Sequence, residues 1–200
     1  MSAVRRTLVV AAVALTSAMS GCTSSDDPEP PAAQPSASST PLQDFATEGL
    51  SVVRGEFCAR VPSAAVSEAL DGEPADTGSW ANGDRTRLAA GVRDVAHEYG
   101  CSWTAADGTV ARAWVFAPPV TPSSAAVLGR QSRRAEGCRP LPDAPAYGDP
   151  SVAVRCGREI SFRGLFGDAW LSCSLQSPGT APDVDRAGRW CVAVAQAAAG

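Results

Sequence analysis

The chain contains no lysine: all 17 of its basic residues are arginine, and a single histidine, His97, is its only imidazole. A serine nucleophile needs a base to take its proton, and no Gly-x-Ser-x-Gly elbow is present, so one histidine on a strand reads as a packed or half-exposed residue. No Gly-x-Gly-x-x-Gly and no phosphate loop occurs, which leaves no cofactor to expect. The sequence also has no Cys-x-x-Cys. That removes dithiol exchange and the close ligand spacing of a zinc site. The charge balance lacks a basic surplus, at −4 overall, and nucleic acid needs a basic face. No catalytic constellation emerges, and the chain reads as a non-enzyme. Paired-carboxylate hydrolysis of a cell-wall glycan stays open only because distances between Asp and Glu are not readable from sequence.

What is present begins at the N-terminus. Arg5 and Arg6 precede the apolar run Leu8–Leu15, and small residues lead to Ser20-Gly21-Cys22. The run is about half of the roughly 20 residues that cross a bilayer, so it reads as a signal peptide over residues 1–21. The segment resembles the bacterial lipobox, with Met19 where Leu is usual. The resemblance implies that Cys22 is the lipidated N-terminus of the mature chain, tied by a lipid anchor to the extracytoplasmic face of the cell membrane. Two acyl chains, at about 0.8 kcal/mol per buried CH2, suffice for stable attachment. Residues 22–44, rich in Pro, Ser, Ala and acid, lack the apolar content to fold and read as an extended tether.

Residues 45–200 then form one domain large enough to bury a core. Arg5 and Arg6 lie in the signal, and Asp26, Asp27, Glu29 and Asp44 lie in the tether, so this domain carries only about −2. Its six cysteines, Cys58, Cys101, Cys138, Cys156, Cys173 and Cys191, are even in number and stand 17 or more residues apart. Behind a signal peptide they read as three disulfides.

Periodicity predicts a short helix capped by Ser63 and stopped by Gly72, then a loop holding Gly78, Trp80, Asn82 and Gly83. Val95, His97, Tyr99, Cys101 and Trp103 alternate as one strand face and turn at Asp107-Gly108. Val110–Phe116 returns with Arg112, Trp114 and Phe116 on one side. Thr121-Pro122 opens a helix that runs to Gly137. Its Arg130, Arg133 and Arg134 lie where positive charge favours the helix dipole, a sufficient reason for them beside the alternative of an anion site. A Pro-rich loop (138–149), a strand (150–156), a hairpin about Gly167-Asp168 and a helix (183–199) complete the order. The fold expected is α+β: an antiparallel sheet of about five strands in hairpins, packed against two to three helices and disulfide-stapled. The two helix-then-hairpin halves hint at duplication.

Phe57-Cys58-Ala59-Arg60-Val61-Pro62-Ser63-Ala64-Ala65-Val66-Ser67-Glu68-Ala69-Leu70, followed by Tyr99-Gly100-Cys101-Ser102-Trp103 and a hairpin, resembles the DUF3558 group of actinobacterial lipoproteins. The likeness extends at fold level to the extracellular sensor domains of some mycobacterial receptor kinases. The resemblance implies a lipobox, a spacer, a single α+β domain and a Cys58–Cys101 bridge; it implies no activity. Six domain cysteines exceed the two of the commoner set. For the other four, Cys138–Cys156 would close the Pro-rich loop onto a strand, and Cys173–Cys191 would staple the last hairpin to the last helix; six cysteines allow 15 connectivities.

The aromatic set Trp80, Trp103, Trp114, Phe162, Trp170 and Trp190 is large for such a core. It motivates a monomeric module that binds a small or lipidic envelope molecule, although core and rim packing also accounts for any single member. The alternative is an accessory or sensor protein that docks on another envelope protein, with Trp80 as a candidate contact.

Overall fold

The computed structural model describes residues 40–89 and 91–199; Cys22, the signal and most of the tether lie outside them. Among the described residues there are three α-helices: α1 (Ser63–Leu70), α2 (Pro122–Arg134) and α3 (Val184–Ala199). The strands are β1 (Pro74–Trp80), β2 (Arg85–Ala89), β3 (Val92–Val95), β4 (Glu98–Ala105), β5 (Val110–Phe116), β6 (Cys138–Pro140), β7 (Ser151–Cys156), β8 (Glu159–Phe166) and β9 (Ala169–Gln176). Seven of them form one antiparallel sheet in the order β1-β4-β5-β9-β8-β7-β6, while β2 and β3 make a separate ribbon. The class is α+β as expected, with more strands than the five anticipated.

The differences have local causes. The stretch after Gly72 that reads as a Gly-rich loop contains β1 and the ribbon. β1 is an edge strand exposed on most residues, so it carries no apolar alternation for a sequence to show. Val95 and His97 do not continue into the strand of Tyr99, Cys101 and Trp103: β3 ends at Val95, Ala96 is buried, and β4 starts at Glu98. Three residues of the Pro-rich loop form β6 against β7. Ser63 is not the cap of α1, since Pro62 holds that place without a side-chain bond; Asp71 ends the helix in the left-handed region at φ 57°. Thr121 does cap α2, accepting from the Ser124 N–H at 3.2 Å, and that helix ends at Arg134.

The core lies on one face of the sheet. Cys101 and Trp103 of β4, Ala111, Ala113 and Val115 of β5, Leu171, Cys173 and Leu175 of β9, and Ile160 and Phe162 of β8 are buried there beneath α1 and α3. Trp103 meets Trp190 of α3 edge-on at 5.3 Å, a favoured arrangement for aromatic rings. Leu42 is 4 % exposed and packs against Gly188, where a side chain would stand 3.1 Å from it. The folded unit therefore takes in residues that composition assigns to the tether. Three disulfides are formed: Cys58–Cys101 ties the segment before α1 to β4, Cys138–Cys156 links β6 to β7, and Cys173–Cys191 joins β9 to α3.

α2 lies on the other face, where Ala125 and Leu128 meet Val152 and Val154 of β7, Leu165 of β8 and Trp170 of β9. On the two sides of the β5–β9 seam lie three strands (β5, β4, β1) and four (β9, β8, β7, β6). A twofold relating antiparallel neighbours keeps the faces of a sheet, yet α1 and α2 occupy opposite faces. The halves are thus not related by one rotation.

Candidate functional site

The second face differs in chemistry from the first. Register places Ser102, Arg112, Ser174, Ser161 and Val154 in one row across β4, β5, β9, β8 and β7, and Gly100, Trp114, Ser172, Arg163 and Val152 in the next. α2 covers only the β7 side. Along its free edge runs a groove of about 310 Å³, lined by Trp114, Phe116, Leu128, Gln131, Ser132, Ala135, Arg163 and Trp170. That volume is at the lower end of small-molecule sites, about 300 Å³ and above.

Trp114 and Phe116 alternate outward from β5 with ring centroids 5.0 Å apart and form a half-buried aromatic wall. Trp170 is 1 % exposed and backs it. Opposite, Ser132 faces inward from α2, bonding back to the Leu128 carbonyl at 2.9 Å, and it accepts from Arg163 Nη1 at 2.8 Å. Arg163 Nε is buried with no hydrogen-bond partner, and so is the Ser161 hydroxyl one position along the same face. Burial pushes the Arg163 guanidinium below its ordinary range, partly offset by the field of Glu159. Burial raises the Glu159 carboxyl above its usual range, against the pull of Arg112 and Arg163. No carboxylate among the described residues lies within 4.0 Å of Arg163; the ion pairs there are Arg54–Asp168, Arg189–Glu68 and Arg189–Asp185.

A larger recess of about 430 Å³ lies at the β1 edge, lined by residues that include Phe57, Arg60, Trp80, Asp84 and Tyr99. Three of its polar side chains, Arg60, Asp84 and Trp80, are already engaged. Arg60 donates to the Ala197 and Glu56 carbonyls, at 2.7 and 3.0 Å. Asp84 accepts from the Ala81 N–H at 2.8 Å. Trp80 Nε1 donates to Glu98 at 3.0 Å, and burial raises the Glu98 carboxyl while that bond lowers it. The Trp80 indole packs against Gly100, where any Cβ would collide with it. The smaller groove is the one lined by an arginine with a buried, unpartnered nitrogen, Arg163 Nε.

The aromatic set thus divides. Trp103, Phe162, Trp170 and Trp190 are core, while Trp80 and Trp114 stay half-exposed. Trp80 stands at the end of β1, in place of the loop expected for it. His97 is exposed in the bend before β4 and shares a backbone bond through its carbonyl with Ala117 N–H at 3.0 Å. Arg130, Arg133 and Arg134 are exposed on α2. Sequence reasoning missed Glu159, Ser161, Arg163 and Ser132. For the first three the signal was there in β8, where Glu159, Ser161 and Arg163 alternate with Ile160, Phe162 and Gly164. A strand covered on both faces reads as a near-continuous apolar run, so the polar alternation of β8 departs from that pattern.

No group of three His, Cys, Asp or Glu side chains among the described residues is placed to hold a metal ion, and no helix among them is long and apolar enough to cross a membrane. No family model, no curated protein and no solved structure matches the chain.

Proposed function

We propose that the protein is a lipid-anchored binding module of the cell membrane's extracytoplasmic face, DUF3558-like, which holds a small or lipidic envelope molecule in the groove beside α2. The observation that supports this reading is the half-covered second face: one side of the sheet is closed by two helices, while the other exposes an aromatic wall opposite a guanidinium. A core of this size gains nothing from leaving Trp114 and Phe116 half in water. Cys22 carries the lipid and the tether gives reach. The test is native mass spectrometry of the full chain with Cys22→Ser, secreted and purified without detergent. An added mass that is lost on denaturation supports a ligand, whereas a bare chain moves the reading to protein docking. Fractionation tests the anchor separately: the natural chain sediments with membranes, and Cys22→Ser does not.

The docking alternative has its own observation. β1 presents seven residues along the free edge of the sheet, most of them exposed, a surface to which another chain can add a strand. Trp80 sits at its end. An envelope partner whose affinity is unchanged by Trp80→Ala does not use this edge.

A further inference from the structure

We infer that the groove beside α2 takes a small organic anion, a carboxylate or phosphate monoester with an apolar group, and that Arg163 reads its charge. This rests on the groove being the binding site and adds the chemical class of what it binds.

The argument begins with a charge taken out of water. A guanidinium moved into a protein interior is costly unless a counter-ion or full hydrogen bonding repays it. Arg163 is largely covered and donates one bond, to neutral Ser132 at 2.8 Å. Its Nε is buried without a partner. No carboxylate of the described residues pairs with it. Glu159, two residues along the strand, acts on it only through its field, and Arg112 on β5 shares that carboxylate's influence. Arginine offers five donors in a planar fork that fits carboxylate and phosphate oxygens. Here the fork lines a groove with the polar Ser132 and Gln131 beside it, and the other walls, Trp114, Phe116, Leu128, Ala135 and Trp170, are apolar. A ligand that satisfies both parts carries a negative group at one end and an apolar body at the other. A neutral apolar ligand would bury the cation more deeply with no gain. A highly charged one would forfeit the aromatic wall. The groove of about 310 Å³ suits one short chain or ring, which argues for a free small molecule over an intact diacyl lipid surface.

The experiment follows the Trp114 indole N–H signal in 1H–15N spectra of the full chain with Cys22→Ser, assigned through Trp114→Phe. The probes are octyl phosphate and octanol, both kept below the concentration at which they aggregate. Octyl phosphate is expected to bind about tenfold tighter than octanol, the scale of one hydrogen bond to a charged group. Arg163→Met should erase that preference and leave octanol binding intact, and Arg163→Lys should keep part of it. Near-ultraviolet circular dichroism establishes that each variant is folded; should the Met variant not fold, the Lys variant, expected to narrow the ratio, carries the test. Equal binding of the two probes, or an unchanged ratio in the variants, overturns the anion inference and leaves the groove standing. No response of Trp114 to either probe overturns both. Co-sedimentation with vesicles containing phosphatidylglycerol, without uptake of octyl phosphate, overturns the assignment to a free ligand.

Discussion

The two faces of the sheet are written by the same strands, yet they do different work. β9 sends Leu171, Cys173 and Leu175 to the first face, all buried, and Trp170, Ser172, Ser174 and Gln176 to the second. β8 sends Ile160, Phe162 and Phe166 one way and Glu159, Ser161, Arg163 and Leu165 the other. Because side chains alternate with a period of two, neighbouring residues can serve opposite demands with no change of backbone. The first face lies under α1 and α3 and pairs apolar atoms with apolar atoms. The second face carries hydroxyls and guanidinium groups at positions where Val or Ile would pack better. On the binding function proposed above, the contrast teaches that stability and recognition are kept on separate sides of one layer, so each can be removed alone.

The largest break in that contrast is Phe162→Ala. Phe162 is fully buried on the first face beneath Tyr147, ring centroids 6.3 Å apart. Its truncation should cost about 3–5 kcal/mol in urea unfolding. Trp114→Ala, half-exposed on the second face, should cost much less stability and abolish ligand uptake. Equal losses of stability from the two would erase the division of labour.

The next effect concerns the disulfides. Cys173 and Cys191 are 1 % and 0 % exposed, enclosed on the first face, whereas Cys138 and Cys156 are half-buried at the far sheet edge. Replacing Cys173 and Cys191 together by Ala should cost about 3 kcal/mol, the chain-entropy value for so short a loop. Under mild reductant, peptide mass mapping should find Cys138–Cys156 opened first, because its sulfurs can be reached without unfolding.

A smaller effect, of opposite sign, is expected at Ser161. Its hydroxyl is buried without a partner, and removal of an unsatisfied polar group is neutral or favourable. Ser161→Ala should therefore leave stability unchanged or raise it by up to about 1 kcal/mol. A clear loss would mean that the hydroxyl is satisfied in solution by a bound molecule or water, and the second face would then be less open than it looks.

Much of the first face was legible in the sequence. Alternation in β5 and the spacing of Ala187, Cys191, Val194 and Ala198 in α3 each follow from burial on one side, and Cys191 in that helical row bonds to Cys173 on the buried face of β9. The site was less legible, and the reason is physical. Ridge and groove arise where α2 stops short of covering the sheet, a matter of how elements from distant parts of the chain meet. Ser132 and Arg163 are 31 residues apart, and no local pattern links them. The polar stripe in β8 was readable alone, but an arginine in a strand speaks of a site only once both sides of that strand are known to be covered. β1 escaped for the converse reason: an edge strand exposed on both faces owes its conformation to backbone pairing with β4, which leaves no mark on hydropathy.

The smallest effect tests which force rules the second face. Glu159 has its carboxyl raised above the ordinary value of 4.5, chiefly by burial, with Arg112 and Arg163 pulling it down. A carboxyl that holds its proton more tightly in the fold than in the open chain contributes stability that is complete below the open-chain value. That contribution is lost as pH rises through the raised folded value. At neutral pH the charged carboxylate therefore works against the fold. Glu159→Gln, which keeps the shape and removes the charge, should make the protein slightly more stable than the parent at pH 7, and the difference should close as pH falls towards the ordinary carboxyl range. Thermal unfolding across that range reads the effect. The same change takes away the one negative field acting on Arg163, so octyl phosphate should bind the variant more tightly than the parent. If Glu159→Gln instead weakens the fold at pH 7, attraction to the two arginines outweighs burial. Arg163 would then have its counter-ion within the protein, and the groove would have no call for an anion.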